Sequence, residues 1–223
     1  MTPSKLKFPN YWDEGFNGLC ASDPILAKIA IQNKEIKLYS HRNVFLTLVR
    51  AIVSQQISSQ AAEKISYKLL FLISLESCTL TRELNKVIDA STFLRSKSCF
   101  KRLGISQKKY TTMNTVAHHL NNNKDYWKNL NNFSDVEILS ELTNIKGIGV
   151  WTGQMFLIFH LMRPNVLPET DFGLLKSIMK NYSLPDILSA KQQLPKLKEK
   201  WAPWNTIATW YLWCDIDPRP FIY

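Results

Sequence analysis

Residues 142–171, LTNIKGIGVWTGQMFLIFHLMRPNVLPETD, decide how the rest of the chain is read. The stretch opens on the end of an apolar helix, passes through Ile145-Lys146-Gly147-Ile148-Gly149, and enters a second apolar helix at Val150. Two glycines around one apolar residue make a tight inter-helix turn, because glycine reaches backbone angles closed to other residues. They also bare the N–H groups that open the next helix, and these point at any nearby anion. With Lys146 alongside, the turn is suited to gripping a phosphate, although a plain αα-turn with a helix-ending glycine fits the same residues. Farther on, Leu167-Pro168-Glu169-Thr170-Asp171 brings one acid to the start of another helix. An N-cap aspartate is the ordinary role there, and a catalytic carboxylate is compatible with it, since helix N-termini favour negative charge. A phosphate clamp and an acid thus lie one helix apart.

Outward from this stretch the pattern is helical throughout. Only seven glycines occur in 223 residues, strict apolar/polar alternation is scarce, and apolar residues recur at helical spacing. The chain is predicted to be all-α. Ser22-Asp23-Pro24 starts one helix, with a cap residue followed by proline in the first turn. A helix over 44–54 is predicted to bury the stripe Phe45, Leu48, Val49 and Ile52. The next carries Ala61, Ala62, Ile65, Leu69 and Leu72. Short helices are expected near 81–88 and 91–94, and Ser106 caps a helix holding Lys108, Lys109, Met113 and Val116. The Asn- and Lys-rich residues 121–133 read as an exposed connection. Ser134 and Glu137 form a capping box for the helix entering the glycine turn, with Ile138, Leu139 and Leu142 on its apolar face. Helices are further predicted over 172–179, after Pro185, and over about 203–214.

Composition bounds the function without choosing it. Lys and Arg number 28 against 18 Asp and Glu, a formal charge of +10 that suits a polyanion, either nucleic acid or an acidic membrane surface. The longest apolar run, residues 155–162, is interrupted by His160 and too short to cross a bilayer. The N-terminal residues lack the apolar stretch of a signal peptide, and a soluble intracellular protein is expected. Cys20, Cys78, Cys99 and Cys214 are scattered, with no metal-ligand spacing for zinc or an iron–sulfur cluster. His41, His118, His119 and His160 form no triad or metal pattern, and His160 reads as a core residue.

Two further segments carry candidate chemistry. The run WAPWNTIATWYLWC places Trp201, Trp204, Trp210, Tyr211 and Trp213 close together. Aromatics at helical spacing usually form core, yet so many tryptophans could also line a pocket that stacks on a flat base, with Trp151 as a second wall. Gln55-Gln56 is a polar turn between helices, or else a plug for the gap a flipped nucleotide leaves.

LTNIKGIGVWTGQMF followed by RPNVLPETDFG resembles the helix-hairpin-helix DNA glycosylase superfamily, in its 3-methyladenine DNA glycosylase II (alkylbase) branch. LVRAIVSQQISSQAAEKI and WAPWNTIATWYLW look like two further signatures of that branch, in the expected order. The resemblance implies two helical lobes with the active-site cleft between them: residues 44–163 with the hairpin, and residues 1–43 with 164–223 carrying the acid and the aromatic cluster. It implies Asp171 as the catalytic aspartate and Trp151 and Trp213 as borders of the base pocket. It further implies Gln56 as the plug with Gln55 beside it, and a DNA grip from Lys146, Gly147, Gly149 and Thr152. By the same likeness, the carbonyls of Thr143, Ile145 and Ile148 would hold a structural Na+ or K+, with no organic cofactor and no catalytic metal. The implied reaction is excision of alkylated purines of the 3-methyladenine and 7-methylguanine type from double-stranded DNA by a monomer, in the nucleoid or the nucleus. A noncatalytic module for lesion or abasic DNA and a glycosylase for another lesion are the alternatives. Trp151 stands where lyase-active relatives carry a lysine nucleophile, which argues for hydrolysis without strand cleavage. Asn205 stands where arginine is common and Gly153 where alanine is usual, and there is no room for the N-terminal β-rich domain of larger relatives.

Overall fold

The computed structural model describes residues 8–40, 42–76, 88–96 and 103–217. In chain order the helices are α1 Trp12–Ser22, α2 Pro24–Gln32, α3 Val44–Ser54, α4 Ser59–Glu76, α5 Ala90–Arg95, α6 Gln107–Asn122 and α7 Lys124–Lys128. They continue as α8 Asp135–Thr143, α9 Val150–Phe159, α10 Phe172–Asn181, α11 Ile187–Trp201 and α12 Asn205–Ile216. The all-α expectation holds, and no strand occurs among the described residues. The helix expected near 81–88 falls, apart from Ile88, outside them, as do His41, Cys78 and Cys99. Two compact units divide the chain, one from Met1–Ser40 with Met162–Ile222, the other His41–Leu161.

In the continuous unit, α3 is the axis and packs against α4, α6 and α9. Asn43 starts it, its Oδ1 accepting the Leu46 N–H at 2.9 Å. The predicted one-sided stripe understates the burial, because Leu46, Thr47, Ala51 and Val53 are buried as well as Phe45, Leu48, Val49 and Ile52. A helix wrapped by neighbours needs no polar face. The segment read as an exposed connection is also corrected. It contains α7 and a 3₁₀ turn over Leu130–Asn132, with Trp127 and Leu130 buried as anchors. Trp127 meets Phe156 edge-on at 6.1 Å. The capping box is present as predicted: the Glu137 N–H donates to Ser134 Oγ at 3.3 Å and the Ser134 N–H to Glu137 Oε2 at 2.7 Å.

In the discontinuous unit, α12 is buried from Asn205 through Leu212, and α1, α2, α10 and α11 pack on it. Helix α1 has no strong signal in the sequence, since two glycines and an asparagine weaken it as an isolated helix. Packing holds it: Trp12 and Leu19 are buried, and Trp12 Nε1 donates to Tyr211 Oη at 3.3 Å. Asp23 is the predicted cap of α2 and does more than cap. Its Oδ1 accepts the Ile25 and Leu26 N–H groups, while Oδ2 accepts Tyr182 Oη at 2.6 Å, Trp201 Nε1 at 3.0 Å and Lys200 Nζ at 3.0 Å. Burial alone would raise the pKa of this carboxyl, but the bonds from Tyr182, Trp201 and Lys200 bring it below the ordinary carboxylate range. One fully buried charge therefore fastens the start of α2 to the ends of α10 and α11.

Candidate functional site

The glycine turn joins α8 to α9. Ile145 and Ile148 are buried and anchor it, whereas Lys146, Gly147 and Gly149 face outward. The Ile145 N–H donates to the Leu142 carbonyl and the Ile148 N–H to the Ile145 carbonyl, at 3.1 and 3.0 Å. Gly147 holds φ +96°, the left-handed region that favours glycine. A β carbon there would stand 2.1 Å from Oγ1 and 3.0 Å from Cβ of the buried Thr112. Gly149 differs: its backbone is extended, and a β carbon would meet nothing within 4 Å. It caps α9 with no side-chain hydrogen bond, and the space a β carbon would fill at this position is open.

The Gln55-Gln56 loop is built onto this turn. Gln55 Nε2 donates to Thr152 Oγ1 at 3.0 Å and lies 3.5 Å from the Gly147 carbonyl. Thr152 is buried and receives Gln55, so its hydroxyl belongs to the hairpin's internal bonding. Gln56, next along, is exposed and holds φ +59°. Two residues the sequence did not single out complete the arrangement. Lys109 Nζ donates to the Val53 and Gln55 carbonyls at 2.7 and 2.9 Å, and Thr112, three residues on, lies under Gly147. A signal for Lys109 did exist. It occupies the place in the stripe of Met113 and Val116 where a buried residue is due.

In the other unit, Thr206 sets the approach to Asp171. Its hydroxyl donates to the Arg163 carbonyl and accepts the Val166 N–H, and its own N–H donates to the Pro164 carbonyl. Asn205, buried beside it, donates to Asn165 Oδ1 and to the Lys198 carbonyl. Val166 and Leu167 are buried, and the Asp171 N–H closes a turn onto the Pro168 carbonyl at 2.8 Å. Asp171 then caps α10. Its Oδ1 accepts the Leu174 N–H at 2.7 Å and Trp213 Nε1–H at 2.9 Å. Cap and partnership with a tryptophan coexist in one oxygen.

The aromatic cluster divides by role. Trp201, Trp210 and Tyr211 are fully buried, with Trp201 bonded to Asp23 and Trp210 Nε1 to the Ile36 carbonyl at 2.8 Å. Trp204 stacks on Tyr11 at 5.8 Å. Of this run, Trp213 is the member bonded to Asp171 and is partly exposed. Trp151 is half-buried at the start of α9. Gly153 admits a neighbour: a β carbon there would lie 2.6 Å from Leu139 Cδ2, so its absence lets α8 close onto α9.

The chain is similar to DNA-3-methyladenine glycosylase 1 of Schizosaccharomyces pombe, 32% identical over 170 residues, which are 74% of this chain and 69% of that protein. Its fold matches the S. pombe 3-methyladenine DNA glycosylase in complex with abasic DNA, with TM-score 0.73 and 25% identity over 90% of this chain and 95% of that one. It also matches the DNA-3-methyladenine glycosidase of Bacillus halodurans, with TM-score 0.70 and 26% identity over 95% and 93% of the two chains. No family model matches the sequence.

Proposed function

We propose that this chain, which belongs to the DNA-3-methyladenine glycosylase family of helix-hairpin-helix proteins, excises alkylated purines from duplex DNA by hydrolysis. Alkylation at N3 or N7 makes a purine cationic, so its glycosidic bond is weakened before the enzyme acts. The outward N–H groups beside Gly147 and Gly149, with Lys146, grip a phosphate irrespective of sequence. The damaged nucleotide leaves the stack, and Gln56 fills its place. Trp151 and Trp213 recognise the electron-poor base by stacking. As the C1′–N bond breaks, its electron pair leaves with the base and positive charge develops on the sugar. The Asp171 carboxylate stabilises that charge and orients the attacking water, which gives up a proton as it bonds to C1′. The products are a free base and an abasic site.

The observation that carries this reading is the fixed carboxylate of Asp171, held through one oxygen by the Leu174 N–H and the Trp213 indole. Trp151 supports hydrolysis without strand cleavage, because an indole cannot form the Schiff base that a lysine would. The carbonyls of Thr143, Ile145 and Ile148 suit a Na+ or K+. Thr143 ends α8, where the helix dipole is negative, and the Ile145 carbonyl keeps a lone pair beyond the bond from Ile148. Such an ion would supply charge between hairpin and phosphate. Among the described residues no helix is long and apolar enough to cross a membrane, and the reading is of an intracellular monomer acting on damaged DNA.

Single-turnover release of 7-methylguanine and 3-methyladenine from methylated duplex tests it. Asp171→Asn is expected to slow release by about a hundredfold or more while binding of an abasic duplex persists. Equal rates in both proteins would remove Asp171 from the chemistry. Binding without release in either protein would leave a noncatalytic lesion-binding module.

A further inference from the structure

We propose that Lys109 is a positioning residue that locks the Gln55-Gln56 loop to the glycine hairpin, so that both meet a distorted duplex as one rigid piece. This rests on the reading of Gln56 as the side chain that enters the duplex. Lys109 and Thr112 lie three residues apart on α6 and so share a face. The Lys109 ammonium donates to the carbonyls of Val53 and Gln55, where α3 ends. A cation is favoured there, both by the helix dipole and by carbonyls with no helical partner. Thr112 lies so close under Gly147 that no β carbon fits between them. Gln55 closes the triangle by donating to Thr152 at the start of α9. Loop, hairpin and α6 are therefore tied pairwise, by three separate contacts.

Gln56 follows directly on the Gln55 corner of that triangle and is exposed. A side chain at φ +59° costs backbone energy and persists only where its surroundings hold it. Here the residue before it is held at both ends, through its carbonyl by Lys109 and through its amide by Thr152. Lys109 turns its donors inward, and burial pushes its pKa down. A lysine offered to a DNA phosphate would stand outward, as Lys146 does.

The test compares affinity for a duplex holding a tetrahydrofuran abasic analogue with affinity for the same undamaged duplex. Wild type, Lys109→Met, Gln56→Ala and the double variant are measured, with melting temperature alongside. Methionine keeps the chain length and removes the donors. Each single variant is expected to lose about tenfold of the preference for the abasic duplex, and the double variant no more than either, as for residues that act as one unit. Lys109→Arg is expected to retain most of the preference. Losses that multiply in the double variant would overturn the proposal, as would full preference in Lys109→Met where Gln56→Ala loses it. Full preference in Gln56→Ala would overturn it together with its premise, while base release by the wild type would keep the glycosylase reading standing. If Lys109→Met does not fold, Thr152→Val removes the acceptor of Gln55 with little change of shape and allows the same comparison.

Discussion

Trp213 donates its indole N–H to the same Asp171 oxygen that caps α10, at 2.9 Å against 2.7 Å for the Leu174 N–H. The tryptophan is thus both a ring and a donor. Trp213→Phe keeps the ring and removes the donor. A hydrogen bond to a charged group contributes about 1.5–3 kcal/mol, so base release should slow by about tenfold to a hundredfold. Binding of abasic duplex should change little. An unchanged single-turnover rate would mean that Trp213 acts through its ring alone.

The two hairpin glycines should answer differently to the same substitution. Gly147→Ala places a β carbon against Thr112 at a positive φ, and about 2 kcal/mol or more of stability should be lost. Gly149→Ala meets open space at an extended backbone, so it should lose only the modest preference for glycine over alanine at a helix N-cap, well short of the loss in Gly147→Ala. If the turn grips a phosphate as proposed, the added methyl crowds that contact and affinity for any duplex should fall. Equal melting temperatures for the two variants would contradict the packing described for Gly147.

Trp151→Lys tests the division between hydrolysis and lyase chemistry. A lysine there should not by itself cleave the strand, because a nucleophilic amine also needs neighbours that lower its pKa. Borohydride trapping of a covalent adduct with abasic DNA is the measurement. A trapped adduct would show that the surroundings of residue 151 already suffice.

His160 stacks on Phe156 at 4.7 Å, and burial lowers its pKa to about 4 from the ordinary 6.5. The folded protein therefore binds fewer protons than the unfolded chain between these two values. Stability contributed by the neutral ring is complete above pH 6.5 and is lost as pH falls toward 4. The loss should be on the order of 2 kcal/mol, allowing for partial exposure. His160→Phe keeps the stacking and removes the titration, so its melting temperature should fall less than the wild type's between pH 7 and pH 5. Parallel pH curves for the two proteins would assign the acid sensitivity between pH 7 and pH 5 to a group other than His160.

Local signals were legible wherever local chemistry decides. Asp23 before Pro24, Ser106, the Ser134–Glu137 box and the Gly147 turn are read from adjacent residues, and each stands where expected. Helix α1 was not legible, because its stability comes from residues some two hundred positions away, such as Tyr211. Trp127 shows the same limit inside a polar run, where one buried ring outweighs its asparagine-rich neighbours. At the site, the sequence offered Asp171 and Trp213 as an acid and a ring, and the bond between them spans 42 residues that no spacing rule covers. Gln55 read as part of a polar turn or as the neighbour of the plug, and the bond of its amide to Thr152 spans 97 residues that neither reading covers. The contacts of Lys109 with the Gln55-Gln56 loop likewise depend on a helix more than fifty residues downstream.

The buried carboxylate of Asp23 has a consequence for biosynthesis. Its acceptor oxygen waits for Tyr182 and Trp201, which follow it by 159 and 178 residues. Between them lies the whole of the unit that carries the glycine hairpin. A nascent chain therefore completes that unit first and holds its earliest helices in suspense, with Asp23 still in water, until α10 and α11 leave the ribosome. The glycine hairpin is thus complete before α12 emerges and brings Trp213 to Asp171.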